Sequence, residues 1–195
     1  MYTIFLNLKT KELYSYFKKN IWIFFTLLSF LPGTNILYGI DNQSTGMDAN
    51  GSIVIAWQEN TSLGTEIKAS ALPFSSPSWE IPVILSNSQI ASLPVLVVAA
   101  NGADTFTVAI WIEVIAGTAH LYGAMRPSLI GSWTASVLLS NGIEDVFGNY
   151  QLVLNSTGNI VATWTSFEAG NPNVRSSIAI INLLNIWGVP TTINL

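Results

Sequence analysis

Three observations predict an all-β chain of tandem four-stranded antiparallel units. Tryptophans recur at a fixed step, strand-length apolar runs lie between them, and Gly, Pro, Asn and Ser punctuate the runs. Trp57, Trp111 and Trp164 stand 54 and 53 residues apart, and Trp79, Trp133 and Trp187 stand 54 and 54 apart. "VILSN" at 83–87 returns as "VLLSN" at 137–141, Pro73 pairs with Pro127, and Pro82 with Pro190 two periods later. A fixed period of about 50 residues marks an array of supersecondary units.

Each period divides in the same way. The first tryptophan ladder lies in "SIVIAWQE" (52–59), "FTVAIWIE" (106–113) and "NIVATWTS" (159–166). Ile53, Ile55 and Trp57 fall on one face of a strand and Val54 and Ala56 on the other. Apolar residues on both faces point to a sheet covered on both sides. "EIKASALP" (66–73), "WEIPVILS" (79–86) and "SLPVLVVAANG" (92–102) follow, making four short strands per period. After residue 39 no stretch has the periodicity of an amphipathic helix. Four-stranded units with two apolar faces, repeated in tandem, predict β-propeller blades, each covered by its neighbours. The blades are expected at about 41–87, 92–141 and 148–195, a partial propeller of three. The first is the thinnest, since "GIDNQSTGMDANG" (39–51) stands where the later two have an apolar strand.

"NGSIVIAW", "IKASALP" and "WEIPVILS", with their later copies, resemble the blades of bacterial secreted β-propeller repeat proteins over nearly all of residues 41–195. The resemblance implies a propeller fold and leaves function open, because propellers host unrelated activities. A more distant likeness is to sialidase-type propellers with turns of the form S-x-D-x-G-x-x-W. "DANGSIVIAW" (48–57) has the Asp, Gly and Trp at a different spacing.

Composition narrows the function classes. Half of the 195 residues are hydrophobic and 9% are charged, enough apolar matter for a sizeable core. Lys9, Lys11, Lys18 and Lys19 against Glu12 give residues 1–39 a charge of +3, so the net −4 leaves −7 for the remainder. That remainder has only Lys68, Arg126 and Arg175 as bases, too few to displace phosphate counterions, and a nucleic-acid partner is not expected. With no cysteine there is no disulfide framework and no thiolate chemistry. The apolar run "IWIFFTLLSFL" (21–31) follows the lysines and precedes "PGTNILYG". Its 11 residues suit the core of a signal peptide and are short for a membrane span of about 20. Residues 1–39 therefore read as a signal peptide, cleaved after Gly39, or as a retained amino-terminal anchor. Residues 40–195 are expected outside the cytoplasm: secreted, periplasmic or on the cell surface.

Candidate functional residues are few. Glu59 and Glu113 share one repeat position, two after the ladder tryptophan, where the third unit has Ser166. Paired carboxylates suit general acid and base work on a glycoside. A strand-end carboxylate repeated on neighbouring units also serves to solvate the strand ends. His120, the only histidine, and Arg126 complete a low-charge candidate set for ligand binding. Trp57, Trp111, Trp164, Trp79, Trp133 and Trp187 read as structural ladders, since repeated positions build a continuous core. Asp48, Asp104 and Asp145 lie near Gly-containing turns, where Asp serves its own backbone. No calcium loop, phosphate loop or nucleophile motif is present, and no metal or cofactor is expected. The sequence thus predicts a non-enzymatic exported module that binds an unknown protein or glycan. The alternatives are a lectin or glycosidase whose site gathers Glu59, Glu113, His120 and Arg126, and a fragment of a larger propeller protein. Three units leave two uncovered end faces, so a second copy closing the ring is an expected partner.

Overall fold

The computed structural model describes residues 40–88, 90–101, 104–129, 131–180 and 187–193. The expected export segment, residues 1–39, lies outside the described residues, as do Trp22 and the cleavage position. Among the described residues no helix is long and apolar enough to cross a membrane.

The described chain is all-β, with twelve strands in three antiparallel sheets. The first sheet runs in the order β1 (Ile40–Met47), β2 (Ile53–Thr61), β3 (Gly64–Leu72), β4 (Val83–Ile84). The second is β5 (Ala91–Asn101), β6 (Asp104–Ile115), β7 (Thr118–Arg126), β8 (Val137–Leu138), and the third β9 (Asp145–Leu154), β10 (Asn159–Glu168), β11 (Asn171–Ile180), β12 (Thr191–Thr192). Each sheet is a meander of sequence-adjacent strands, which short turns permit. The β6–β7 and β10–β11 hairpins both turn on Ala-Gly, with φ of 52° and 85° at Ala116 and Gly117, and 50° and 82° at Ala169 and Gly170. Two successive left-handed residues match the twist of the flanking strands.

Two expectations about elements need correction. The polar segment in the first period does form a strand: β1 pairs with β2 along its length, with a bulge between Asp41 and Gln43. Backbone pairing to β2 suffices there, and β1's side chains remain largely exposed. Conversely, "WEIPVILS" pairs over only two residues, Lys68 with Ile84 and Ala69 with Val83. Pro82 has no N–H to give the ladder, which confines pairing to the stretch after it. The outermost strand is instead held by repeated single bonds. The N–H of Glu80, Thr134 and Gly188, each next to an outer tryptophan, donates at 2.8 Å to the carbonyl of Ala71, Met125 and Ile178. Ser86 and Ser140 of the "LSN" phrase accept the N–H of Ile67 and Leu121.

The sheets stack face to face in a propeller-like array, with β5 lying against both β1 and β9. Val54, Ala56, Ile67, Ala69 and Ala71 of the first sheet meet Ala109, Trp111 and Ala124 of the second. The opposite face of the second sheet, Val108, Ile110, Ile112, Leu121 and Met125, meets Ile160, Ala162, Trp164 and Ala179 of the third. The inner tryptophan thus always faces the preceding sheet. Trp111 and Trp164 are 0% and 1% exposed, whereas Trp57, on the outer face of the first sheet, is half-buried. Each fully buried Val or Ile in these layers contributes about 1.5–3 kcal/mol of transfer free energy.

All three innermost strands carry a bulge, in β1 at Asp41/Gln43, in β5 between Ser92 and Val95, and in β9 opposite Trp164/Thr165. A bulge bends its strand and sharpens its twist. Tyr150 at the third bulge donates its hydroxyl to the carbonyl of Leu93 at the second, and burial pushes its phenol well above the ordinary 10.0.

Replacing Ile110, fully buried between the second and third sheets, by Ala should cost about 2–5 kcal/mol in urea denaturation. Leu63→Ala, at a turn position 69% exposed, should stay within about 0.5 kcal/mol. The native state holds the Tyr150 proton more tightly than the unfolded chain does. Its contribution to stability is therefore complete below pH 10.0 and is lost as pH rises beyond it. Thermal melts between pH 8 and 12 should show this fall, and Tyr150→Phe should flatten it.

Candidate functional site

The carboxylates begin from a strand rule: residues i and i+2 share a face, so an acid two places after a tryptophan lies beside the indole. In the second sheet Glu113 is fully buried and accepts the Trp111 Nε1–H at 2.8 Å. The same carboxylate accepts the backbone N–H of Asn87 at 2.9 Å and of Ser88 at 3.0 Å, from the segment that leaves the first sheet. In the first sheet Trp57 donates to Glu59 at 3.3 Å, and Lys68 pairs with Glu59 at 3.0 Å and Glu66 at 3.8 Å.

The third sheet has Ser166 at this position, and the structure finds a substitute. Glu144, fully buried and overlooked in the sequence, reaches in from the segment before β9. It accepts the Trp164 Nε1–H at 3.1 Å, the Asn141 N–H at 3.1 Å and the Ser166 hydroxyl at 2.7 Å. Arg175 pairs with it at 3.1 Å and also with Glu168. The signal was present: where the repeat loses its acid, "NGIED" after "VLLSN" gains one. Asn87 and Asn141, both ending the "LSN" phrase, play the same part, donating N–H to the carboxylate that serves the next sheet's tryptophan.

The structure does not gather the candidate residues into one site. Glu59 shares the outer face of the first sheet with Trp57, while Glu113 lies with Trp111 between the first and second sheets, so a whole sheet separates the pair. Facing sheets pack about 10 Å apart. His120 sits opposite Glu113 in the β6–β7 register, 8% exposed, and its Nδ1 makes no hydrogen bond. Tyr122, two residues on, has its phenol pushed up by burial and by the charge of Glu113. Arg126 pairs with Thr107 at the other end of β7, about 20 Å from His120 at 3.3 Å per residue. There it clamps the first two sheets together, forming an ion pair of 2.9 Å with Glu80 and donating Nε–H to the Gly131 carbonyl at 2.7 Å.

Asp48 belongs to a turn. Its carboxylate accepts the N–H of Asn50 and Ser52, each at 2.9 Å, and the hydroxyl of Thr105 in the second sheet. Asn155 accepts the N–H of Thr157 and Asn159 in the matching turn of the third sheet. Asp145 accepts the Ala119 N–H. Among the described residues no group of three or more His, Asp and Glu is placed to hold a metal ion.

Open concavities lie among the described residues. A groove of about 450 Å³ runs between the outer parts of the first and second sheets, lined by Ser70, Glu80, Asn87, Arg126, Trp133 and Ser136 among others. A shallower one of about 310 Å³ is lined by the three bulges, with Asn42, Gln43, Leu93, Pro94, Asn149 and Tyr150.

No family model matches the chain, and no curated protein does. Among solved structures, it is similar to a GH62 hydrolase crystallised with xylotriose, at 11% identity and a TM-score of 0.46. It is similar also to the α-L-arabinofuranosidase of Podospora anserina crystallised with cellotriose (10%, 0.45) and to the catalytic domain of the Coprinopsis cinerea GH62 α-L-arabinofuranosidase (11%, 0.44). Each similarity covers 83% of this chain, which spans about half of each of those structures, 53–54%.

Glu113→Gln turns an amide donor toward backbone donors, so it should cost about 1–3 kcal/mol in chemical denaturation. Glu59→Gln, whose carboxylate is 24% exposed and paired with Lys68, should cost less than about 1 kcal/mol. Equal losses would mean that the buried N–H donors do not depend on the charge.

Proposed function

We propose that residues 40–195 are an exported, non-enzymatic β-propeller module of three blades that offers a binding surface. One observation carries this reading: the buried carboxylates are committed to structural donors. Glu113 and Glu144 each receive an indole N–H and backbone N–H groups, which leaves neither free to move a proton in a reaction. The three bases beyond residue 39 are committed as well, Lys68 to Glu59, Arg126 to Glu80 and Arg175 to Glu144. The export part of the proposal rests on the lysine-flanked apolar run at 21–31, outside the described residues.

The groove between the first two sheets favours a sugar as the ligand class. It combines the half-buried Trp133 with the amide of Asn87, the hydroxyls of Ser70 and Ser136, and the Arg126–Glu80 pair. An indole face with nearby planar polar groups suits the apolar face and hydroxyls of a pyranose. The full chain is screened against a panel of plant and bacterial glycans, for binding and for released reducing ends. The expected outcome is selective binding without hydrolysis, weakened at least tenfold by Trp133→Ala. Turnover of any glycoside would refute the non-enzymatic reading, and absence of glycan binding would turn the search to protein ligands.

A further inference from the structure

The repeat specifies what should cover each sheet face, and among the described residues no further sheet packs on two of them, the outer face of the third sheet and that of the first. Val161 lies 53 residues after Val108, which lies 54 after Val54. Val54 and Val108 are 0% exposed because the next sheet packs on them, whereas Val161 is 38% exposed. It sits in a cross-strand row with Val153 and Ile178, which are 63% and 60% exposed, and the stacked rings of Phe147 and Phe167 lie on the same face. At the other end, the face with Ile53, Ile55 and Trp57 corresponds to the tryptophan faces that the first and second sheets cover in their neighbours.

We infer that these two outer faces dock on one another between two copies of this chain, head to tail, closing six sheets into one ring. The internal contacts are the template, since each joins a face equivalent to that of Val161 to one equivalent to that of Trp57.

Charge agrees with this pairing. The rows Val153–Val161–Ile178 and Gln151–Thr163–Ser176 on the third sheet contain no ionisable residue. The first sheet's outer face carries Lys68 paired with Glu59 and Glu66 beside Trp57. Arg175 pairs with Glu144 in the equivalent place beside Trp164, under the cover of the second sheet. Arg175 also pairs with Glu168, so a base shared by two carboxylates is already accommodated beneath a packed sheet in this molecule.

Area argues for a closed ring over an open chain of copies. Three long strands about 4.8 Å apart and nine residues in length give a face of roughly 430 Å² at 3.3 Å per residue. A stable interface needs about 800 Å² from each partner. One such contact supplies about half of that, and the two contacts of a closed two-fold ring supply it all.

The chain contains no cysteine, which makes cross-linking specific. Ile55→Cys, Val161→Cys and the double variant of the full chain are treated with a bis-maleimide spanning about 10 Å, the spacing of packed sheets. The result expected is a covalent dimer from the double variant only, together with a solution mass twice that of the monomer by light scattering. Val161→Lys should reduce that mass to the monomer's, and Leu63→Lys, at an exposed turn, should leave it unchanged. Self-linking of either single variant would overturn the inference in favour of a like-to-like contact. A ladder beyond the dimer would overturn the closed ring, and a monomeric mass without cross-links would mean that something else covers these faces.

Discussion

The array depends on an indole N–H that is buried between two sheets and has to be given an acceptor. A large aromatic at the centre of each layer fills the space between sheets, but its one polar atom carries a desolvation cost of about 1–3 kcal/mol if left unpaired. A carboxylate answers it, and the carboxylate in turn needs more donors before it can be buried without water. Glu113 finds them in the backbone that enters from the previous sheet, so one requirement fixes the strand, the layer and the connection together.

This chain of requirements explains why the repeated phrases take the form they do. In "LSN" the leucine fills the layer, with Leu85 and Leu139 6% and 2% exposed. The serine receives the edge N–H of β3 or β7, and the asparagine N–H meets the buried carboxylate. Positions that look like a sequence signature are the sites where backbone polar groups would otherwise be orphaned.

The all-β character and the tandem four-stranded pattern were legible because burial imposes a period on the sequence. What escaped was set by backbone geometry or by convergence in space. β1 is a polar strand, visible only through its pairing with β2. The outermost strands pair over only two residues each, in the first and third sheets directly after Pro82 and Pro190. Glu144 was invisible to a column-by-column comparison of repeats because it enters the same space from another part of the chain. Of the proposed grouping of Glu59, Glu113, His120 and Arg126, the sheets bring only Glu113 and His120 side by side, and hold Glu59 on another face and Arg126 at the far end of β7.

The route by which Trp164 obtains its acceptor makes the units unequal as building blocks. The second sheet carries its own acid on β6, so a duplicated copy of it would bring a complete layer. The third sheet borrows its acid from residues 141–144, and a copy cut at the start of β9 would leave an indole buried with nothing to receive its proton. Growth of such an array by gene duplication would therefore favour break points that keep each connection attached to the sheet it feeds. The natural module begins in the link and not at the first strand.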